Sequence, residues 1–454
     1  MTPRSASRPK IPRSVDDAGL AQSAELSWVT EGPVINSNFP DPDIIKVGNV
    51  YHAYATNSGG QNVQHAVSTD LRHWTQLPDA APTLGAWVDD NCSFTPGGKD
   101  DHCTWAPTVT AVNGGYVLYY TARDRASQRQ CVGVSTSDSP DGPFQPVGTQ
   151  PLVCPVSSGG AIDASTYAEN GQLYLLWKAD GNCCKLPAVI NIQPLSADGL
   201  TVTGDPTPLI QNDQPWEGAV VEAPTLMKRD GTYYLFYSAN NFAGGAYTTG
   251  YATATSITGP YTKHGQLMST DRFTDPIIGP GGETLTTAPD GSTAIAFHGW
   301  DPTYTYRAMY VRELDFSADG TPHVQGTANR YEAEAGTIVD ARIVNDSAAS
   351  NGRKVGNIDN PDSSVTVNVH ADHTGPATLG IRFDNGSLDG SGYRVKATDT
   401  VTVNGKDAGT VTFPHTAWGN WQQIDYPVKL VSGWNSITFT KKTFFTELDA
   451  IDVS

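Results

Sequence analysis

The sequence predicts an all-β chain, a five-bladed β-propeller followed by a C-terminal β-sandwich. Three observations carry this expectation. Runs rich in Val, Thr, Tyr and Ile are broken by Asp-Gly, Asn-Gly and Gly-Gly turns, and 45 Gly and 31 Pro against 17% charged residues point to many turns and few long helices. Similar strand–turn–strand units recur at a spacing of roughly 60 residues, as blades do. The period then stops, and short alternating strands of another pattern fill the remaining chain.

In chain order, residues 1–30 are expected to form a flexible tail. Met1 to about Ser27 is polar and basic and has no apolar run of the signal-peptide kind, as in a processed secreted protein. The first unit runs from Asp41 through Tyr51-His52-Ala53-Tyr54, and the second from Trp105-Ala106-Pro107 to Tyr116-Val117-Leu118-Tyr119-Tyr120. The third runs from Ile162-Asp163 to Leu173-Tyr174-Leu175-Leu176-Trp177, and the fourth from Val221-Glu222-Ala223-Pro224 to Tyr233-Tyr234-Leu235-Phe236-Tyr237. The fifth runs from Gly282-Glu283 to Ala294-Ile295-Ala296-Phe297-His298. The outer halves repeat as well: a strand, a polar turn, then an aromatic that packs back, as in Val67-Ser68-Thr69-Asp70-Leu71-Arg72-His73-Trp74 and Ser139-Pro140-Asp141-Gly142-Pro143-Phe144. These units span 31–325, Gly326-Thr327-Ala328-Asn329 reads as a linker, and 330–454 has the length of one sandwich.

A formal net charge of −18 argues against nucleic acid or an anionic membrane as partner, and suits a neutral substrate. No apolar run approaches a membrane span. The six cysteines, Cys92, Cys103, Cys131, Cys154, Cys183 and Cys184, lack zinc-type spacing, and their even number indicates disulfides and an oxidising compartment. Neighbours in sequence are the preferred pairs, which leaves Cys183-Cys184 as a vicinal bond, but spacing does not settle the connectivity. Asn91, Asn345 and Asn385 each begin a glycosylation sequon.

Acids at the starts of different inner strands of a propeller converge on one funnel. Asp41 lies between Pro40 and Pro42, which stiffen the backbone ahead of a strand, although an Asp-Pro turn before a hairpin accounts for the same residues. Asp163 and Glu222 hold similar positions in the third and fourth units. Three carboxylates in one pocket match the needs of glycoside hydrolysis: a proton donor for the leaving oxygen, a base for water, and a neighbour that tunes the donor. A structural or cation-binding set of acids is the competing expectation.

Phe39-Pro40-Asp41-Pro42-Asp43, Ser68-Thr69-Asp70-Leu71-Arg72-His73-Trp74, Trp105-Ala106-Pro107, Ser139-Pro140-Asp141-Gly142-Pro143-Phe144, Ile162-Asp163 and Glu222-Ala223-Pro224 together resemble glycoside hydrolase family 43, over nearly all of 31–325. That resemblance implies a five-bladed propeller and an inverting enzyme, with Asp41 as general base, Glu222 as general acid and Asp163 as the residue that tunes and orients the acid. One departure is Ala223, where the family often has glycine. Glu217, in Trp216-Glu217-Gly218, is a rival for the acid; Glu222 is preferred because Pro224 and Thr225-Leu226-Met227 follow it in the family register. The resemblance also implies that His298 holds a cation, commonly calcium, on the propeller axis. Phe39, Trp105 and Trp300 are candidate sugar-stacking walls or blade core, and Arg307 is a candidate to reach the pocket or to stay solvated.

The C-terminal segment opens with Tyr331-Glu332-Ala333-Glu334-Ala335 and closes with Leu448-Asp449-Ala450-Ile451-Asp452-Val453. Acids from first and last strands can surround a hard cation with oxygen, and the pattern resembles carbohydrate-binding modules of families 35 and 6, which implies a structural calcium on Glu332, Glu334 and Asp449. Tyr393, Trp418 and Trp421 are candidates for sugar contact there. Such modules often carry an asparagine just before the closing Leu-Asp; Phe445-Thr446-Glu447 stands there instead.

The expectation as a whole is a secreted, monomeric, inverting exo-glycosidase acting on a plant cell-wall polysaccharide. An α-L-arabinofuranosidase acting on arabinan or arabinoxylan comes first, a β-xylosidase or galactan-active enzyme next. A non-catalytic two-domain sugar-binding protein is the alternative of another class. The insert Gly85 to His102, which a Cys92–Cys103 bond would staple, is expected to wall one side of the funnel, and this favours exo-action.

Overall fold

The computed structural model describes residues 28–30, 32–89, 92, 103–273, 276–317, 320–346, 348–371 and 374–453. Most of the expected N-terminal tail lies outside them, as do Asn91, Ser347 and most of the Gly85–His102 insert. Among the described residues the chain is all-β: seven antiparallel sheets joined by turns and single turns of 3-10 helix.

Five of the sheets have four strands each, paired in chain order. The first sheet is Asp43–Val47, Val50–Ala55, Gln64–Ser68 and Thr75–Leu77, and the second Trp105–Val112, Gly115–Arg123, Gln130–Ser137 and Gln145–Pro146. The third is Ala161–Glu169, Gln172–Ala179, Val189–Pro194 and Thr207–Gln211, and the fourth Val221–Arg229, Thr232–Ala239, Thr248–Ala254 and Thr262–Met268. The fifth is Ile278–Thr287, Thr293–Trp300, Arg307–Phe316 and Pro322–Val324.

Local sequence explains the hairpins. Asn113-Gly114, Asn170-Gly171 and Asp230-Gly231 connect the first two strands of sheets two, three and four, and all six residues have positive φ, as the tight two-residue turn requires. The second strands are the most apolar: every residue of Thr232–Ala239 after Thr232 is buried, because the strand is covered on both faces.

The first strands face one another. Each packs against the first strand of the next sheet, and the fifth packs back on the first, so the ring closes. The segment before the first sheet locks the closure. Ile35 bridges Met309 of the fifth sheet, and Phe39 N–H donates to Arg307 O at 2.8 Å. Trp28, Ile35 and Phe39 share one core cluster with Ala294, Met309 and Val311. Phe39, 0% exposed, is therefore a closure residue in the core; the expectation that it forms a sugar-stacking wall is corrected.

The C-terminal residues form two sheets around one core that includes Val365, Val367, Phe439, Ile381, Phe383 and Ile451. One sheet has six strands, with Asn329–Glu332 paired along Glu447–Val453, and the other has five. Asp271, on the propeller side, links the two parts: its Oδ2 is 3.0 Å from Arg330 Nη1 and 2.6 Å from Arg382 Nη1. Burial would raise the Asp271 carboxyl, but the two guanidiniums and Ser269 hold it well below the usual carboxylate range.

In the structure Cys92 is bonded to Cys103, Cys131 to Cys154 and Cys183 to Cys184.

Candidate active site

The five inner strands carry one irregularity at a common place. Asp41, Ala106, Asp163, Ala223 and Gly282 all have left-handed backbone, with φ of 53°, 39°, 54°, 49° and 63°. In sheets two to five the strand pairing slips at this residue, as at a β-bulge. The slip turns the backbone toward the axis, and the axial channel is lined by the same three positions of every sheet: 41–43, 106–108, 163–165, 223–225 and 282–284. Such backbone costs an L-residue on the order of 1 kcal/mol or more, the kind of strain that collects at functional sites.

This register corrects one expectation. Asp41 and Asp163 occupy equivalent places, but Glu222 does not share them. Its sheet puts Ala223 there, and Glu222 stands one residue earlier, level with Trp105 and Gly281. The departure noted in the sequence, Ala223 in place of glycine, falls on the residue that must adopt positive φ.

Asp41 lies between three partners. Thr56 Oγ1 donates to Oδ2 at 2.6 Å, and Arg307 Nη1 donates to Oδ1 at 3.1 Å. His298 Nδ1 is 3.2 Å from the same Oδ1. The Asp41 backbone N–H also donates to His298 Nδ1 at 3.1 Å, and Arg307 Nη1 lies 3.3 Å from His298 Nε2. Burial would raise the Asp41 carboxyl; Arg307, His298 and Thr56 outweigh it and hold it well below the usual range, so Asp41 is a carboxylate.

Asp163 and Glu222 make the opposite kind of site. Asp163 Oδ2 accepts from the Ala223 N–H at 3.1 Å. Burial first, then the Glu222 charge, push the Asp163 carboxyl well up, with Lys178 working against them. Glu222 is held at both oxygens: Lys178 Nζ is 2.7 Å from Oε2, and Tyr247 O–H donates to Oε1 at 2.8 Å. Lys178 is itself 1% exposed and pairs with Asp180 at 3.1 Å. One side of the pocket thus holds an ionised acid and the other a carboxyl pushed up beside a second acid, an arrangement suited to base and acid roles.

Residues 30–322 match the family described as Glycosyl hydrolases family 43. The chain belongs to this family. Curated relatives include a putative beta-xylosidase of Xylanibacter ruminicola, 26% identical over 62% of this chain and 48% of its own length, so the chain spans about half of that protein. An extracellular endo-alpha-(1->5)-L-arabinanase 1 of Bacillus subtilis (strain 168) is 27% identical over 55% of this chain and 77% of its own. Among solved structures, a thermostable family-43 glycoside hydrolase is 30% identical with a TM-score of 0.54, covering 64% of this chain and 93% of that one. The family match contains all three acids, Lys178 and Tyr247.

Other expected residues separate. Arg307 reaches Asp41, and its guanidinium lies over the rings of Phe242 at 5.1 Å and Trp300 at 5.8 Å. Trp300, half-buried, donates to Phe242 O at 2.7 Å, so Trp300, Phe242 and the exposed Tyr304 form an aromatic rim beside Arg307. Trp105 is half-buried at the register of Glu222. Glu217 is corrected as a rival acid: it is 0% exposed, and Tyr237, Lys263 and the N–H groups of Asp213 and Gln214 take its oxygens. His298 does not fit the expected axial cation, because its Nε2 faces a guanidinium and its Nδ1 takes the Asp41 N–H at 3.1 Å.

In the C-terminal part, Glu332 Oε2 and Asp449 Oδ1 are buried and accept no hydrogen bond, and Glu334, two residues after Glu332, is buried as well. Carboxylate oxygens are the donors that a hard cation takes. Arg382 contacts the second oxygen of Asp449, and Ser350 Oγ donates to Glu332 Oε1 at 2.7 Å, so the remaining oxygens are the available ones.

Sequence reasoning passed over Lys178, Tyr247, Thr56 and Phe242. Lys178 had a signal, a single cation inside the apolar run Leu173-Tyr174-Leu175-Leu176-Trp177-Lys178-Ala179. The others had none, because only folding brings them to the acids.

Proposed function

We propose that the protein is an inverting exo-glycosidase that releases arabinose from arabinan or arabinoxylan. Asp41 is the general base that activates water, Glu222 the general acid, and Asp163 the neighbour that orients and tunes the acid. The observation that carries this reading is the split between Asp41, ionised by Arg307, and Asp163, whose carboxyl is pushed up beside Glu222. Arg307 and the aromatic rim of Trp300 and Phe242 supply sugar contacts. The five four-stranded sheets are read as the blades of one propeller, and the C-terminal sheets as a carbohydrate-binding sandwich. In that sandwich Glu332, Glu334 and Asp449 hold a structural calcium, and a cavity of about 340 Å³ with Trp418 and Phe445 in its wall is the sugar cleft. Secretion agrees with the cysteine pairs, and a monomer is the working unit.

The test is chromatographic identification of the product from arabinoxylan and from linear arabinan. Free arabinose supports the proposal. Xylose favours a β-xylosidase, the activity named for the Xylanibacter relative. Oligosaccharides mean endo-action, as named for the Bacillus relative.

A further inference from the structure

Away from the axis, three side chains converge where the first sheet meets the second. We propose that His52, His65 and Asp141 form a site for a zinc-like divalent transition metal that clips these two sheets together.

His52 lies on the strand Val50–Ala55 and His65 on Gln64–Ser68. Tyr54 pairs with His65 across the strands, so His52, two residues from Tyr54, lies on the same face as His65. Asp141 comes from the outer turn of the second sheet. His52 Nδ1 is 3.3 Å from His65 Nε2 and 3.2 Å from Asp141 Oδ1, and His65 Nε2 is 3.9 Å from that same oxygen. A tetrahedral ion with bonds of about 2.0–2.1 Å sets its ligand atoms about 3.3 Å apart. Two of the three separations already have that value, and the third needs only a small turn of an exposed carboxylate.

The scaffold is preorganised. Tyr54 stacks on His65, with ring centroids 4.9 Å apart, and its O–H donates to Pro140 O at 2.6 Å. Phe144 N–H donates to Ala80 O at 2.7 Å, which seats the other end of the turn. Both imidazoles are buried, whereas the Asp141 side chain is 57% exposed. An ion can therefore enter from solvent and keep water as its fourth ligand. Two imidazoles and a carboxylate select zinc, cobalt, nickel or copper over calcium, which takes oxygens. No acid of the axial pocket belongs to this cluster, so the role is structural.

The experiment uses the full chain, stripped with chelator and dialysed. Zinc uptake is measured by calorimetry, and cobalt(II) is added as a spectroscopic probe of tetrahedral geometry. The expected result is one equivalent bound, with a tetrahedral cobalt spectrum and a raised Tm. Asp141→Asn and His52→Gln each weaken zinc binding by roughly tenfold or more. Asp141→Asn, at an exposed position, keeps the metal-free Tm, so loss of binding there is not loss of folding. Zinc affinity unchanged in both variants, or no uptake by the unsubstituted chain, overturns the proposal.

Discussion

Arg307 Nη1 lies 3.1 Å from Asp41 Oδ1, close enough to keep a buried carboxylate ionised. The arginine is on the third strand of the fifth sheet, and the aspartate just precedes the first sheet. Closing the ring is what brings them together, so the ion pair depends on the same closure that buries Phe39.

Arg307→Gln removes the largest effect that lowers the Asp41 carboxyl. The base then protonates at higher pH. The acidic limb of kcat/KM against pH is expected to move up by about one unit or more. An acidic limb that stays in place shows that Arg307 does not set the charge of the base. Asp41→Asn is expected to lower kcat by roughly two to four orders of magnitude on the same substrate.

Lys178→Met removes the ammonium that works against the rise of Asp163. The Asp163 carboxyl is then raised further. The basic limb is expected to shift upward, by about one unit, while the acidic limb stays where it was. Folding is checked by near-UV circular dichroism, because breaking a buried charge pair can also unfold the chain.

Glu222→Gln is expected to cost roughly two to four orders of magnitude on a natural oligosaccharide. The loss on a dinitrophenyl glycoside should be far smaller, since that leaving group departs without a proton. Equal losses on both substrates would remove Glu222 from the acid role.

Two acids on the axis predict how stability responds to pH. Burial raises the Asp43 carboxyl to about 6 and that of Glu283 to about 7. A raised folded-state value means that the unfolded chain loses its proton first. The stabilisation is complete below the ordinary carboxylate range and declines as pH rises toward 7, by up to about 1.4 kcal/mol per pH unit for each group. Tm is therefore expected to fall between mildly acidic and neutral pH, and Glu283→Gln to flatten that fall.

The oxygen set of Glu332, Glu334 and Asp449 predicts a calcium effect on melting. Chelator is expected to lower Tm and added calcium to restore it, in the way a ligand of the native state stabilises. Asp449→Asn should abolish the calcium increment. A Tm indifferent to both would leave Arg330 and Arg382 as the charges that balance these acids.

Legibility differed by residue. Asn113-Gly114, Asn170-Gly171 and Asp230-Gly231 announced their hairpins, because only a few residue types accept the positive φ of a two-residue turn. Asp41 and Asp163 were legible from their place at the start of an inner strand. Glu222 was singled out at the start of its strand, but its register was misjudged, because a bulge displaces a side chain without changing the local motif. Phe39 was misplaced for a related reason: an aromatic beside an acid at a strand entry reads as a wall until its burial is known.

By itself the sequence determined what is local or periodic: the alternation that makes strands, the turns that join them, the repeat of the sheets, and the acids at strand starts. These follow from the backbone preferences of residues a few positions apart. Tertiary structure alone decided which carboxyl is held low and which is pushed up. Asp41 owes its charge to Arg307 and His298, more than 250 residues away along the chain, and Asp163 is raised by burial and by Glu222 of the next sheet, against the pull of Lys178 on its own sheet. Charge depends on distance and burial in space, and no spacing along the chain encodes either one.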